Sequence, residues 1–187
     1  MNENDIYIGS LIDHFSVYGD EKSYKLIFEK VFPSLKRFAF CFLKSWEQAE
    51  EAASDVMISV WQNRYKLAKI DNIKVYLFVL AKNRCLNILK SKRNKETISL
   101  EEININIVFR DLDPEQLCIN SEILRKVERT INSLPQRCKL IFKLVKEERM
   151  SYKEVADILD ISVKTVDAQL VTALKKITTE VKLAYIS

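Results

Sequence analysis

Apolar residues recur at helical spacing along most of the chain, and this feature limits the fold more than any other. The pattern runs from Asp5 to about Lys95, and one stretch places Tyr24, Ile27, Phe28 and Val31 at positions i, i+3, i+4 and i+7. Only 2 Gly and 3 Pro occur among the 187 residues, so few strand-connecting turns can form. The sequence therefore predicts an all-α protein.

Helix boundaries in the N-terminal half can be read from capping residues and prolines. Asp20 can cap one helix, and Pro33 is expected to interrupt it and begin the next, where its missing N–H costs least. A third helix is expected over 47–64 and a fourth from near Asn72 into the lysine-rich segment that ends at 95. The third helix should bury one stripe, with its acids opposite: Ala49, Ala52 or Ala53, Val56 and Val60.

Residues 96–116 break the helical pattern. This segment is acidic, rich in Asn and β-branched residues, and contains a DP pair. Part of it alternates well enough for a strand, but a lone strand has no obvious pairing partner. We predict two small helical domains, 1–95 and 117–187, joined by a flexible acidic linker that can become ordered against a partner.

The charges are unevenly distributed. The formal net charge is only +4, with a pI of about 8.8. Residues 82–95 carry six basic side chains and no acid, whereas residues 47–55 carry four acids and no base. Surfaces of opposite sign indicate two partners of different kinds.

The cysteines and the hydropathy indicate a cytoplasmic protein. The cysteines lack CxxC spacing and lie among apolar residues, which favours buried free thiols in a reducing compartment. They are Cys41, Cys85, Cys118 and Cys138. The N-terminus lacks the basic start of a signal peptide, and no stretch approaches the roughly 20 apolar residues of a membrane span. We therefore expect no direct membrane insertion.

Catalysis is poorly supported by the residue pattern. The single histidine, His14, has no neighbouring Cys or carboxylate pattern. The chain contains no zinc-protease motif, nucleophile elbow or glycine-rich phosphate loop. We predict that the protein is not an enzyme and uses no cofactor or metal.

The segment SYKEVADILDISVKTVDAQL, residues 151–170, is typical of two short helices joined by a tight hinge. Ser151 and Glu154 form a capping box, and Ser162 can cap the second helix. At the hinge, Asp160 replaces the glycine that such turns favour; Asp tolerates the left-handed conformation next best. Inward positions of the second helix are Val166, Leu170, Ala173 or Leu174, and Ile177.

The outward positions of this second helix are short, polar or small, which suits a helix lying in a DNA major groove. They are Lys164, Thr165, Asp167, Ala168 and Thr172. A helical hairpin without any DNA role stays open as the alternative.

The basic helix of the N-terminal half shows a second candidate surface. Its inward stripe is Leu77, Ala81, Cys85 and Ile88. Another face carries Tyr76, Asn83, Asn87 and Lys90, with Lys82 and Arg84 flanking it. Amides interleaved with lysines favour contact with bases and phosphates, whereas the alternative is a solvated basic helix end.

Four segments, in this order, resemble the sigma factors of bacterial RNA polymerase, and among them the extracytoplasmic-function (ECF) group of the sigma-70 class. GDEKSYKLIFEKVFPSLKRFAF, EQAEEAASDVMISVW and VYLFVLAKNRCLNILKSKR resemble region 2 of that family. SLPQRCKLIFKLVKEERMSYKEVADILDISVKTVDAQLVTALKKI resembles region 4. The resemblance covers nearly the whole chain.

For the first domain, the resemblance implies binding to the polymerase clamp and recognition and melting of the −10 promoter element. Glu50, Glu51 and Asp55 would meet the clamp helices of the largest subunit. The −10 contacts would come from Lys74, Tyr76, Lys82, Asn83, Asn87 and Lys90. Tyr76 stands where many relatives have Trp, and Asn87 where many have Asp. The loop 68–72 would hold a flipped non-template base.

For the second domain, the resemblance implies recognition of the −35 element and contact with the polymerase flap. The −35 contacts would be Lys164, Thr165, Asp167, Ala168, Thr172, Lys175 and Lys176. Leu134, Ile141, Phe142 and Val145 would serve core packing or seat the flap tip, two roles that the sequence does not separate. The linker would thread toward the polymerase active-site channel, and a membrane-associated anti-sigma protein would hold the factor inactive.

Three hypotheses follow from the sequence. The first is an ECF sigma factor that directs core RNA polymerase to promoter DNA. The second is a helix-turn-helix transcriptional regulator that is not a polymerase subunit, which leaves the amide-and-lysine helix unexplained. The third, a helical enzyme or adaptor, lacks any catalytic constellation.

Overall fold

The computed structural model describes residues 3–93, 102–105 and 121–186. Within these ranges the chain is helical and contains no strand, which confirms the all-α prediction. Two compact units are present, Met1–Ile98 and Ser99–Ser187. The boundary between them lies inside the segment predicted as a linker.

The first unit is built around one long helix. It contains α1 (Glu3–Tyr18), α2 (Glu21–Leu43), α3 (Trp46–Gln62), α4 (Arg64–Leu67) and α5 (Ile73–Arg93). Helix α2 packs against α1, α3 and α5, and α3 also packs against α5. The alanine stripe of α3 is buried as predicted, which lets these helices approach closely. Core side chains include Phe15, Leu35, Phe38, Ala52, Ala53, Val56, Leu77 and Ala81.

Two predicted helix starts are confirmed by side-chain caps. The carboxylate of Asp20 accepts a hydrogen bond from the Ser23 backbone N–H at 2.9 Å. The Asn72 side-chain oxygen accepts from the Val75 backbone N–H at 3.0 Å, immediately before α5. Each cap pairs an N–H that the first helical turn leaves without an intrahelical partner.

The predicted helix break at Pro33 is wrong. Helix α2 continues through Pro33 without interruption. Val31 and Leu35 on either side of it are buried on one face. Packing of that continuous face outweighs the single backbone hydrogen bond that proline removes.

The described part of the second unit contains four helices: α6 (Ser121–Asn132), α7 (Gln136–Lys146), α8 (Tyr152–Leu159) and α9 (Val163–Ile186). Helix α9 packs against the other three. The core includes Ile131, Leu134, Leu140, Ile141, Leu144, Val155, Ile158, Val166 and Ala173. The fully buried Lys143 amine donates a hydrogen bond to the Glu147 carboxylate at 2.6 Å, so this buried charge is paired.

A short piece of the predicted linker belongs to the second unit and packs against its helix α7. Residues 102–105 are not a strand, yet Ile103 and Ile105 are each only 1% exposed. The Gln136 side chain accepts from the Ile105 backbone N–H at 2.6 Å, and the Lys139 amine donates to the Ile105 carbonyl at 3.2 Å. The segment is therefore ordered against its own chain. Other linker residues lie outside the described ranges.

Three cysteines, Cys41, Cys85 and Cys138, are buried and free, as predicted. Burial raises the pKa of the Cys85 thiol to about 12 and also raises the pKa of Cys138. Cys118 lies outside the described residues. Among those residues, no group of His, Cys, Asp or Glu could hold a metal ion, and no helix has the length and apolarity needed to cross a membrane.

Candidate nucleic-acid and polymerase interfaces

The predicted capping box at the start of α8 is present. The Ser151 hydroxyl accepts from the Glu154 backbone N–H at 3.3 Å, and the Glu154 carboxylate accepts from the Ser151 backbone N–H at 2.7 Å. The Ser162 hydroxyl likewise accepts from the Thr165 backbone N–H at 3.0 Å at the start of α9. Both helices of the hairpin therefore begin where the sequence predicted.

The hinge between α8 and α9 uses the left-handed conformation expected of Asp160. Its φ is 56° and its ψ is 55°. The backbone N–H groups of Asp160 and Ile161 both donate to the Ala156 carbonyl. These bonds satisfy a carbonyl at the end of α8, so the chain turns sharply without glycine.

Helix α9 buries one stripe and exposes the predicted reading face. Val166, Leu170 and Ala173 are buried. The sequence predicted that either Ala173 or Leu174 faces inward; Leu174 is 38% exposed, so the inward residue is Ala173. Thr165, which bonds to Ser162, is half-buried. The other predicted −35 residues are all exposed: Lys164, Asp167, Ala168, Thr172, Lys175 and Lys176.

Helix α5 has the same two-faced organisation. Leu77, Ala81 and Cys85 are buried, and Ile88 is half-buried. Asn83 and Asn87 are exposed one helical turn apart on the opposite side. The remaining predicted −10 residues are half-buried: Lys74, Tyr76, Lys82 and Lys90.

The acidic face of α3 is linked to neighbouring helices by ion pairs and a hydrogen bond. Asp55 pairs with Arg84 of α5, and Glu50 pairs with Lys36 of α2. The Lys92 amine also donates to the Gln48 side chain at 2.7 Å. Sequence reasoning missed these pairs because their members are far apart along the chain.

One apolar residue on the acidic face was also missed. Ile58 is 51% exposed and lies three and seven residues after Asp55 and Glu51, so it shares their side of α3. Its spacing from the acids was the available signal. An exposed isoleucine among carboxylates gives this face an apolar contact as well as charge.

The α8–α9 hairpin makes the second unit a helix-turn-helix domain, a class of fold whose second helix reads DNA. Two family profiles match the chain: Sigma-70 region 2 over residues 27–95 and Sigma-70, region 4 over residues 124–177. These matches fall within the two units in chain order.

Curated relatives and solved structures agree with these profiles. The ECF RNA polymerase sigma-E factor of Haemophilus influenzae is 25% identical over 175 residues, covering 88% of this chain and 90% of that protein. The Escherichia coli K12 sigma-E factor is 25% identical over 142 residues, covering 75% and 70%. Similar folds occur in CnrH in complex with the cytosolic domain of CnrY (TM-score 0.57, 17% identity, covering 94% and 97%). They also occur in the sigma factor RpoE of Bartonella quintana, in complex with the anti-sigma factor NepR (TM-score 0.59, 17% identity, covering 86% and 98%).

The chain belongs to the ECF group of the sigma-70 family. It binds core RNA polymerase and directs promoter-specific transcription initiation. The alternative, a helix-turn-helix regulator that is not a polymerase subunit, is not favoured. Sigma factors are regulatory subunits and not themselves catalysts.

Proposed function

We propose that the polymerase contact and the −10 contact lie on adjacent helices of the first unit, and that the −35 contact lies on α9. The supporting observation is the exposure of three polar faces whose opposite stripes are buried, on α3, α5 and α9. Residues 1–95 thus form the clamp-binding and −10 domain, 96–116 the linker, and 117–187 the −35 and flap-binding domain.

The acidic face of α3 is the proposed contact with the clamp helices of the largest polymerase subunit. Glu51 is exposed. Glu50 pairs with Lys36 and Asp55 pairs with Arg84 in the free protein. On binding, both acids would pair with cations of the clamp instead. Such exchange costs little, because ion pairs at the surface contribute only about 0–1 kcal/mol. Ile58 adds an apolar contact beside them.

The exposed amides of α5 are the proposed readers of the −10 element. Asn83 and Asn87 can each pair with an adenine edge, and Lys74, Lys82 and Lys90 can reach phosphates. Tyr76 offers a ring on which an unstacked base can lie, next to the 68–72 loop proposed to hold a flipped base.

The N-terminal turns of α9 are the proposed readers of the −35 element. Lys164, Thr165, Ala168 and Thr172 approach base edges, and Lys175 and Lys176 approach phosphates. Asp167 can accept from a cytosine amino group, which gives specificity at a cost in attraction to the phosphate backbone.

The further partners follow by resemblance. The flap of the second-largest polymerase subunit would contact the second unit, where Phe142 and Val145 are half-buried and Leu134 and Ile141 are buried. An anti-sigma protein would restrain the factor, and the RpoE complex with the anti-sigma factor NepR supports a partner of this kind. Its association with the membrane is inferred by resemblance alone. The protein would work in the cytoplasm, carry out no chemistry itself and need no cofactor.

Binding to purified core polymerase that lacks any sigma factor tests the proposed clamp contact. Asp55→Lys should weaken binding to core polymerase by about tenfold or more, while Glu29→Lys, at an exposed acid of α2, should not. Equal loss in both variants, or loss of folding in Asp55→Lys, would count against a clamp contact.

Promoter preference tests the reading helix. Lys164→Ala with Thr165→Ala should change the preferred −35 sequence, because each good base contact contributes about 1–3 kcal/mol of discrimination. Lys66→Ala, at an exposed lysine of α4, serves as the control. An unchanged −35 preference would remove α9 as the reader.

A further inference from the structure

Two side chains on one side of α7 form hydrogen bonds with the backbone of the linker residue Ile105. Gln136 and Lys139, which we call the linker seat, lie one helical turn apart. The Gln136 side-chain oxygen accepts from the Ile105 N–H at 2.6 Å, and the Lys139 amine donates to the Ile105 carbonyl at 3.2 Å. The backbone N–H and C=O groups of Ile105 are therefore both hydrogen-bonded to side chains on one face of α7.

The two isoleucines held at the linker seat and the lysine of the seat are almost completely buried. Ile103 and Ile105 are each 1% exposed, and Asn104 between them is exposed. Lys139 is only 5% exposed, an unusual state for lysine unless its amine has partners. The two isoleucines supply apolar burial, and the seat supplies the hydrogen bonds that a buried backbone needs.

We propose that the linker seat is an intramolecular docking site for Ile103–Ile105 and that this segment must leave it when the linker enters the polymerase. The release step rests on the proposed function, in which the linker threads toward the active-site channel. A segment held by α7 cannot also line that channel. Docking then lowers the apparent affinity for core polymerase by the fraction of molecules in which the segment is released.

One variant on α7 and one in the linker distinguish loss of docking from a direct effect of changing a linker residue. Gln136→Leu removes the acceptor for the Ile105 N–H from a half-buried helix position, and Ile105→Ser removes one buried side chain. Asn104→Ser changes an exposed position in the same segment and is the matched control. Amide exchange in α8 and α9 of the full chain checks that each variant remains folded.

Hydrogen exchange at the residue 105 amide of the full chain measures docking. We expect at least about tenfold protection in the wild type and in Asn104→Ser, with most of it lost in Gln136→Leu and Ile105→Ser. Exchange of the wild-type amide at the rate of an unfolded peptide would overturn the docking site.

Affinity for purified core polymerase measures release. Gln136→Leu and Ile105→Ser should each bind about threefold to tenfold more tightly than the wild type, and Asn104→Ser should match it. Unchanged or weaker binding in Gln136→Leu would overturn the release step. If the wild-type chain bound no core polymerase, both the proposed function and the release step would be refuted. Hydrogen exchange at the residue 105 amide would still show whether the segment docks on α7.

Discussion

Replacing Asp160 should reveal the conformational cost of the hinge in the helix-turn-helix domain. A left-handed φ of 56° costs an L-residue about 1–2 kcal/mol, which glycine avoids. Glycine loses about 0.5–1 kcal/mol more than alanine in backbone entropy on folding. At position 160 we therefore expect Asp160→Gly to be more stable than Asp160→Ala by about 0.5–1 kcal/mol.

Asp157 is a matched control in the same helix. It is an exposed aspartate in the interior of α8, three residues before the hinge. There the order should reverse, with Asp157→Ala more stable than Asp157→Gly by about 1 kcal/mol. The difference in unfolding free energy between the glycine and alanine variants should therefore change by about 1.5–2 kcal/mol between positions 160 and 157.

Native-state hydrogen exchange of the buried core of α8 and α9 in the full chain is the assay, because it reports opening of the second unit alone. A difference of that size changes the exchange rate by about tenfold to thirtyfold. If alanine matched or exceeded glycine at position 160, the left-handed hinge would not carry the cost assigned to it, and the reasoning would fail.

Three further predictions concern single contacts. Ser151→Ala should destabilise the second unit by about 1 kcal/mol in the same exchange measurement, since it removes the hydroxyl that caps α8; an unchanged rate would contradict this. The Ser23 backbone N–H lowers the pKa of Asp20 below its ordinary 3.8, so its stabilisation is present above pH 3.8 and disappears as pH falls below it; Asp20→Asn should flatten this acid limb of a stability–pH curve. The Cys85 thiol, with its pKa raised to about 12, should resist alkylation at pH 8 until the first unit is unfolded with urea, and prompt labelling in the native protein would refute its burial.

The features that the sequence predicted well depend on residues close together in the chain. The Asp20 and Ser162 caps and the Ser151–Glu154 box each involve an interaction across three residues. The left-handed hinge at Asp160 is equally local. The geometry of such contacts depends on residues a few positions apart, so periodicity and capping chemistry suffice to place them.

The features that the sequence missed depend on which helices pack together. Pro33 was expected to end a helix, but burial on both sides of it keeps α2 continuous. The Asp55–Arg84 pair joins α3 to α5, and the Ile105 contacts join the linker to α7. Helical spacing gives the outward direction of each side chain and does not identify the helix that faces it.

The contact of α3 with α5 has a consequence for the engineering of gene expression. Buried side chains of α3 and α5 pack together, and the Gln48–Lys92 hydrogen bond also joins the two helices within one unit. Under the proposed roles, the −10 reader cannot tilt to suit a new promoter without displacing the polymerase anchor. Exposed side chains such as Asn83 and Asn87 can be exchanged without disturbing either contact. Orthogonal promoter–factor pairs for synthetic circuits are therefore best built by grafting surface residues of α5 onto this unchanged scaffold.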